Sequence, residues 1–224
     1  ATRSLRSSRR CGVRSIEARG AMSFLGSLPP IAWLIVAGAV VLGWGLVWLV
    51  RWYRRRRGRK ALVAAVTAGA LEFVMDVLVP DGMGGGFHVD FLLLTPRGTV
   101  VVDLRDVNGN VFGGDQMDEW TVMDGAHRFT FVNPQAALYD RVAAVKALAG
   151  EMPVEGRIVF TLRARFPKGL PKWTVMLDAL VTEFPPADPS QVDGVTERFG
   201  GDWSHVKSAA APSSLARARR IALP

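Results

Sequence analysis

Val89-Asp-Phe-Leu-Leu-Leu-Thr-Pro-Arg-Gly-Thr-Val-Val-Val-Asp-Leu-Arg-Asp106 is the stretch on which the fold turns. Phe91 to Leu94 and Thr99 to Val102 are short β-rich runs. Between them Pro96-Arg97-Gly98 supplies a turn, Pro presetting φ and Gly free to take a positive φ. The pattern predicts an antiparallel pair. Side chains alternate along a strand, so Asp103 and Arg105 share one face, and folding back about the turn brings Asp90 roughly opposite them. A carboxylate pair is the minimal oxygen-donor set for Mg²⁺, which keeps several waters and can supply one as a nucleophile. The alternative is a solvated strand edge on which Asp103 and Arg105 pair with each other.

Charge is unevenly spread along the 224 residues, whose formal net charge is +8. Residues 1–60 hold thirteen Lys or Arg against one Glu, a net of +12, while residues 61–224 hold fifteen against nineteen acidic residues, a net of −4. The high overall basicity is therefore no argument for nucleic-acid binding by the later part, which would need a local basic patch. Ile31 to Val50 is free of charge and long enough as a helix for a hydrocarbon core of about 30 Å, so a transmembrane helix over 29–52 is expected. Pro29-Pro30 suit its first turn, and Trp33, Trp48, Trp52 and Tyr53 suit its interfaces. The basic flank Arg51 to Lys60 predicts a single-pass inner-membrane protein with its C-terminal domain cytoplasmic, and contact with anionic lipid in preference to DNA. Residues 1–21 form an Arg/Ser-rich basic leader, and Met22 is read as the biological start. Cys11 is the one cysteine, which leaves no disulfide framework and no cysteine zinc site. Ala39 and Gly43 have a small-residue spacing that is too common to imply a dimer.

Beyond Lys60 the pattern alternates between strand and helix. Ala61 to Gly69 continues as a short helix, and Leu71 to Val79 is a strand with Phe73, Met75, Val77 and Val79 in alternation. The hairpin follows. Val107 to Phe112, Trp120 to Met123 and Arg128 to Val132 are short strands. Asn133-Pro134 opens a helix to about Ala149 whose face carries Leu138, Val142, Val145 and Leu148. Arg157 to Leu162 and Thr174 to Leu177 are later strands, and residues 204–224 read as a mobile tail. The expected architecture is one α/β domain over 61–203, ample for a core.

These elements, in order, resemble a known family. "DVLVPDG" in a strand, then "HVDFLLLTPRGTVVVDLRDVNGNVFGG", a Trp, "FVNP" opening a helix and "RIVF" in a late strand resemble the NERD (nuclease-related) domain across roughly Leu71 to Phe184. The family is similar to PD-(D/E)xK nucleases, which implies a restriction-endonuclease-like mixed sheet flanked by helices. On that pattern Asp90 matches the metal-binding aspartate, Asp103 the acidic residue of the (D/E)xK element, and Arg105 its lysine. The implied cofactor is Mg²⁺ on Asp90 and Asp103. The chain departs from the pattern at Asp103, where Glu is usual; at Arg105; in Ala61 to Ala70, which lacks the usual Glu; and at Ala137, where Gln is usual. Guanidinium stabilises phosphate charge but does not deprotonate water.

Other candidates stand beside these. Asp115, Asp118 and Glu119 are an added carboxylate or a solvated acidic loop, and His88 an acid or base or a surface histidine. His127 and His205 lack ligand spacing. Trp120 is expected to pack on the sheet, and Gly84-Gly85-Gly86 to act as a connector, since no Lys-Ser/Thr follows. The favoured function is a membrane-anchored nuclease-related protein that meets DNA or RNA with weakened or lost phosphodiesterase activity. The alternatives are an active Mg²⁺-dependent nuclease and a membrane scaffold with no nucleic-acid role.

Overall fold

The structure, a computed structural model, describes residues 30–186 and 188–213. The basic leader and Met22 lie outside them, as do residues 214–224. Two compact units divide the chain after Gly58. Helix α1 (Pro30–Val66) supplies the described part of the first unit and enters the second. Among the described residues no helix is long and apolar enough to cross a membrane. The transmembrane expectation is thus not supported. From Ala37 to Val50 the described side chains are uncharged, a rise of roughly 21 Å against a hydrocarbon core of about 30 Å, and charge begins at Arg51. Side chains 31–33, 35 and 36, the start of the expected span, are outside the described set.

In the second unit a six-stranded sheet is built from β1 (Glu72–Pro80), β2 (Gly86–Thr95), β3 (Gly98–Arg105), β7 (Val154–Phe160), β9 (Thr174–Met176) and β10 (Ala211–Pro212), in the order β10-β1-β2-β3-β7-β9. The pairs from β10 to β3 are antiparallel, and β3-β7 and β7-β9 are parallel. The parallel step requires a crossover, supplied by β4 (Gly109–Phe112), β5 (Glu119–Asp124), β6 (His127–Val132) and α2 (Pro134–Leu148). Strands β4 to β6 form a smaller sheet with β8 (Ala164–Arg165), ordered β6-β5-β4-β8. Trp120 is fully buried and meets Phe131, Phe160 and Phe166, so it packs as expected.

The predicted hairpin forms with Thr95 opposite Gly98. Gly98 has φ 121°, and a Cβ there would lie 2.3 Å from the Pro153 carbonyl oxygen, so both conformation and space demand glycine. Alternation along β2 and β3 sends Leu92, Leu94 and Val101 to one core and Phe91, Leu93, Val100 and Val102 to the other. The first core includes Leu138 and Val145 of α2 and Phe199, Trp203 and Val206 of α4 (Val192–Ala209); the second includes Val66 of α1, Leu180 of α3 (Leu177–Glu183) and Phe184. A mixed sheet flanked by helices is the architecture expected. Residues 204–213 differ from the expected tail: Ser204 to Ala209 continue α4, Val206 is fully buried, and Ala211–Pro212 add a strand beside β1. Burial of that apolar face outweighs the weak helix propensity of Gly200-Gly201.

Candidate metal centre

Strand register lines up three aspartates across the sheet. Asp90 lies one step beyond the Phe91–Val102 pair and therefore opposite Asp103, while Asp76 lies between the Met75–Phe91 and Val77–Val89 pairs and therefore opposite Asp90. The alternation breaks along this row. Val74 and Val77 both reach the first core although they are three apart, as do Val89 and Leu92. Strict alternation would send each pair to opposite faces. Asp76 absorbs one of these breaks, with φ 55°, a left-handed conformation that aspartate tolerates better than most residues.

Two different environments result. Asp90 Oδ2 accepts from the Leu104 backbone N–H at 2.9 Å, and its Oδ1 accepts from His88 Nε2 at 3.2 Å. Asp76, His88 and Asp90 each offer one ligand atom, all within 4.8 Å of one another. Arg59 lies 3.7 Å from Asp76 Oδ2. Asp103 is only 4 % exposed, and its Oδ2 accepts from Arg105 at 2.8 Å and from Arg141 of α2 at 2.9 Å. Arg141 also donates from Nε to the His88 carbonyl at 2.7 Å, tying α2 to β2 and β3. Among the described residues, His88 Nδ1 and Arg105 Nε are buried without a hydrogen-bond partner.

The sequence-predicted residues are therefore adjacent but divided in role. Asp90 joins a set of oxygen and nitrogen donors that fits a divalent cation. Asp103 joins two guanidinium groups, and Arg105 pairs with it locally, but in a buried position of a central strand and not on the solvated edge of the alternative reading. Asp76 and Arg141 escaped the sequence reading, though both left a signal. Asp76 is a charge inside an apolar alternation, and Arg141 falls on the helical stripe of Leu138 and Val145, three residues after one and four before the other.

The remaining candidates are structural. Asp115 accepts from Gln135 Nε2 at 2.8 Å and from the Lys172 backbone N–H at 2.9 Å. The Gln135 bond first, then that from Lys172, holds its carboxyl below the ordinary value of 3.8. Gln135, second in α2, is thus buried against the acidic loop and the Lys172 carbonyl. Asp118 accepts the Asn133 N–H through its backbone, and Glu119 is exposed in β5. His127 lies in the β5–β6 hairpin, and His205 bonds the Leu148 carbonyl. Gly84 and Gly85 lie in a connector whose Asp81 side chain accepts from Met83 and Gly85.

Searches of curated proteins and of solved structures gave no match. Residues 58–161 match the family model of NERD, the nuclease-related domain, and this stretch, from the end of α1 through β7, contains Asp76, His88, Asp90, Asp103, Arg105 and Arg141.

Proposed function

We propose that the chain is a nuclease-related module that contacts DNA or RNA and has weakened or lost phosphodiester hydrolysis. The observation that supports this reading is the double occupation of Asp103 Oδ2 by Arg105 and Arg141. Two charge-assisted bonds on Oδ2 compete with a cation for that oxygen, and fixed positive charge beside it repels one. Arg105 stands where the resemblance expects lysine, and its guanidinium binds phosphate oxygens without taking a proton from water. Arg59, Arg105 and Arg141 are the guanidinium groups of this row, each paired with Asp76 or Asp103, so a phosphate that binds there exchanges with a carboxylate.

Incubation of the purified chain with plasmid and linear DNA in Mg²⁺ or Mn²⁺ tests the proposal. The expected result is a mobility shift at low salt with no metal-dependent cleavage. Cleavage that disappears in Asp103→Ala overturns it and favours the active Mg²⁺-dependent reading. That reading holds Mg²⁺ on Asp90 and Asp103, with Arg105 stabilising the phosphate. Absence of a shift at any salt concentration favours the scaffold.

For localisation we infer association with the inner membrane, the domain after Arg59 being cytoplasmic. Supporting it are the exposed Val41, Leu42, Trp44 and Leu46 of α1 and the basic flank after them, in which Arg56 stacks over Trp52 at 4.1 Å. Apolar side chains gain from hydrocarbon and basic ones from anionic headgroups. The chain is expected to stay in the membrane fraction at about 1 M salt, where the Debye length is near 3 Å. Full release by salt would restrict the attachment to the basic flank.

A further inference from the structure

We propose that the cation site of this domain is displaced by one strand, to Asp76, His88 and Asp90, and that it selects Mn²⁺ or Zn²⁺ over Mg²⁺ through the His88 imidazole. The inference rests on the reading of the chain as a nuclease-related module; it concerns where a cation is held and which cation that is.

Geometry gives the first reason. Two ligands at right angles on a cation, each bonded at about 2.1 Å, lie about 3.0 Å apart. His88 Nε2 and Asp90 Oδ1 are 3.2 Å apart, close to that spacing, and Asp76 joins these two residues in a set whose ligand atoms all lie within 4.8 Å of one another. Electrostatics gives the second. Asp103, which the family pattern would pair with Asp90, is bound to two arginines, whereas Arg59, half-exposed, meets Asp76 at 3.7 Å in an ion pair of a kind that is readily exchanged. A cation is therefore drawn toward β1 and away from β3.

Selectivity follows from the donor set. Mg²⁺ gives up its water reluctantly and prefers oxygen, whereas imidazole suits borderline transition metals, with affinity rising from Mn²⁺ to Zn²⁺. Nε2 is the ring nitrogen that faces Asp90 Oδ1, while Nδ1 is buried and unpartnered among the described residues.

Calorimetric titration of the full chain with MnCl₂, ZnCl₂ and MgCl₂ reads binding without reference to turnover. Mn²⁺ and Zn²⁺ are expected to bind at one site at least about tenfold more tightly than Mg²⁺. His88→Ala should remove that advantage and leave Mg²⁺ within about twofold; Asp90→Asn should abolish binding of all three. Asp76→Asn should weaken Mn²⁺ binding by at least about tenfold, each variant being checked for folding by circular dichroism. Unchanged Mn²⁺ binding in a folded Asp76→Asn returns the site to β2 and β3 and overturns the displacement. Equal affinities for the three cations overturn the role of the imidazole and leave the nuclease-related reading intact. Electron spin-echo spectroscopy of the Mn²⁺-loaded, unmutated chain needs no variant: ¹⁴N coupling is expected, and its absence overturns the His88 assignment. Failure of every cation to bind overturns the cation site itself, while a mobility shift with nucleic acid would still stand.

Discussion

Asp103 is almost wholly buried and faces two guanidinium groups, each less than about a third exposed, so the three charges hold one another in place. Asp103→Asn leaves both arginines short of a counter-charge and is expected to cost about 1–3 kcal/mol, read as a lower denaturation midpoint at unchanged slope. Arg105→Lys is a sharper test of chemistry. It restores the ammonium that the resemblance calls for, yet Arg141 still holds Oδ2. Metal-dependent cleavage is therefore expected to stay absent in Arg105→Lys alone; its appearance would make Arg105 the sole block. Asp90, Asp103 and Arg105 were legible in the sequence because the hairpin that unites them is local. Asp76 and Arg141 were not, because their partners arrive through pairing with β1 and through the α2 crossover, contacts that no short window of sequence contains.

Two elements bring the helices onto the sheet, and each depends on one residue. Gly156 in β7 lets α2 approach: a Cβ there would lie 2.5 Å from Val142 and 3.1 Å from Leu138. Gly156→Ala should push α2 outward and destabilise the fold by about 1–3 kcal/mol, with a loss in thermal midpoint as the measurement. Since α2 also carries Arg141, the same variant should weaken nucleic-acid binding in a mobility shift. Glu72 at the start of β1 secures α4 by accepting from Trp203 Nε1 and Lys207 Nζ, both at 2.7 Å. The Lys207 bond, followed by that from Trp203, holds its carboxyl below the ordinary 4.5. A depressed carboxyl contributes stability above its unfolded value, and that contribution is lost as pH falls below 4.5 through the folded one. Glu72→Gln should consequently flatten this part of the acid denaturation curve by lowering the neutral-pH midpoint, where the contribution is fully present, while leaving the stability at the acid end little changed. Helix α4 itself was not legible. Val195, Phe199, Trp203 and Val206 lie on one face, but Gly194, Gly200 and Gly201 each subtract about 1 kcal/mol of helix propensity, and only packing against the sheet restores it.

At the scale of the molecule, the second unit contains both cores, and they cannot separate. Each lies on one face of the same sheet, since neighbours such as Phe91 and Leu92, or Val101 and Val102, point into different cores from one strand. Loss of either core frees strands that the other requires. The last turns of α1 belong to this arrangement through Val63 and Val66, so a fragment that begins at Arg59, where the second unit starts, keeps both cores whole. A fragment of residues 59–224 is expected to unfold in a single cooperative transition, with coincident loss of far-ultraviolet dichroism and Trp fluorescence. Trp120 and Trp203 are buried in the first core, so their signal reports on that face, while the dichroism reports on all the elements. A fragment starting at Ala70 removes Val63 and Val66 and should unfold at a lower denaturant concentration, by the transfer of two valines at about 1–2 kcal/mol each. Two separated transitions in the longer fragment would mean that the faces fold independently, and equal midpoints for the two fragments would mean that α1 contributes nothing to the core.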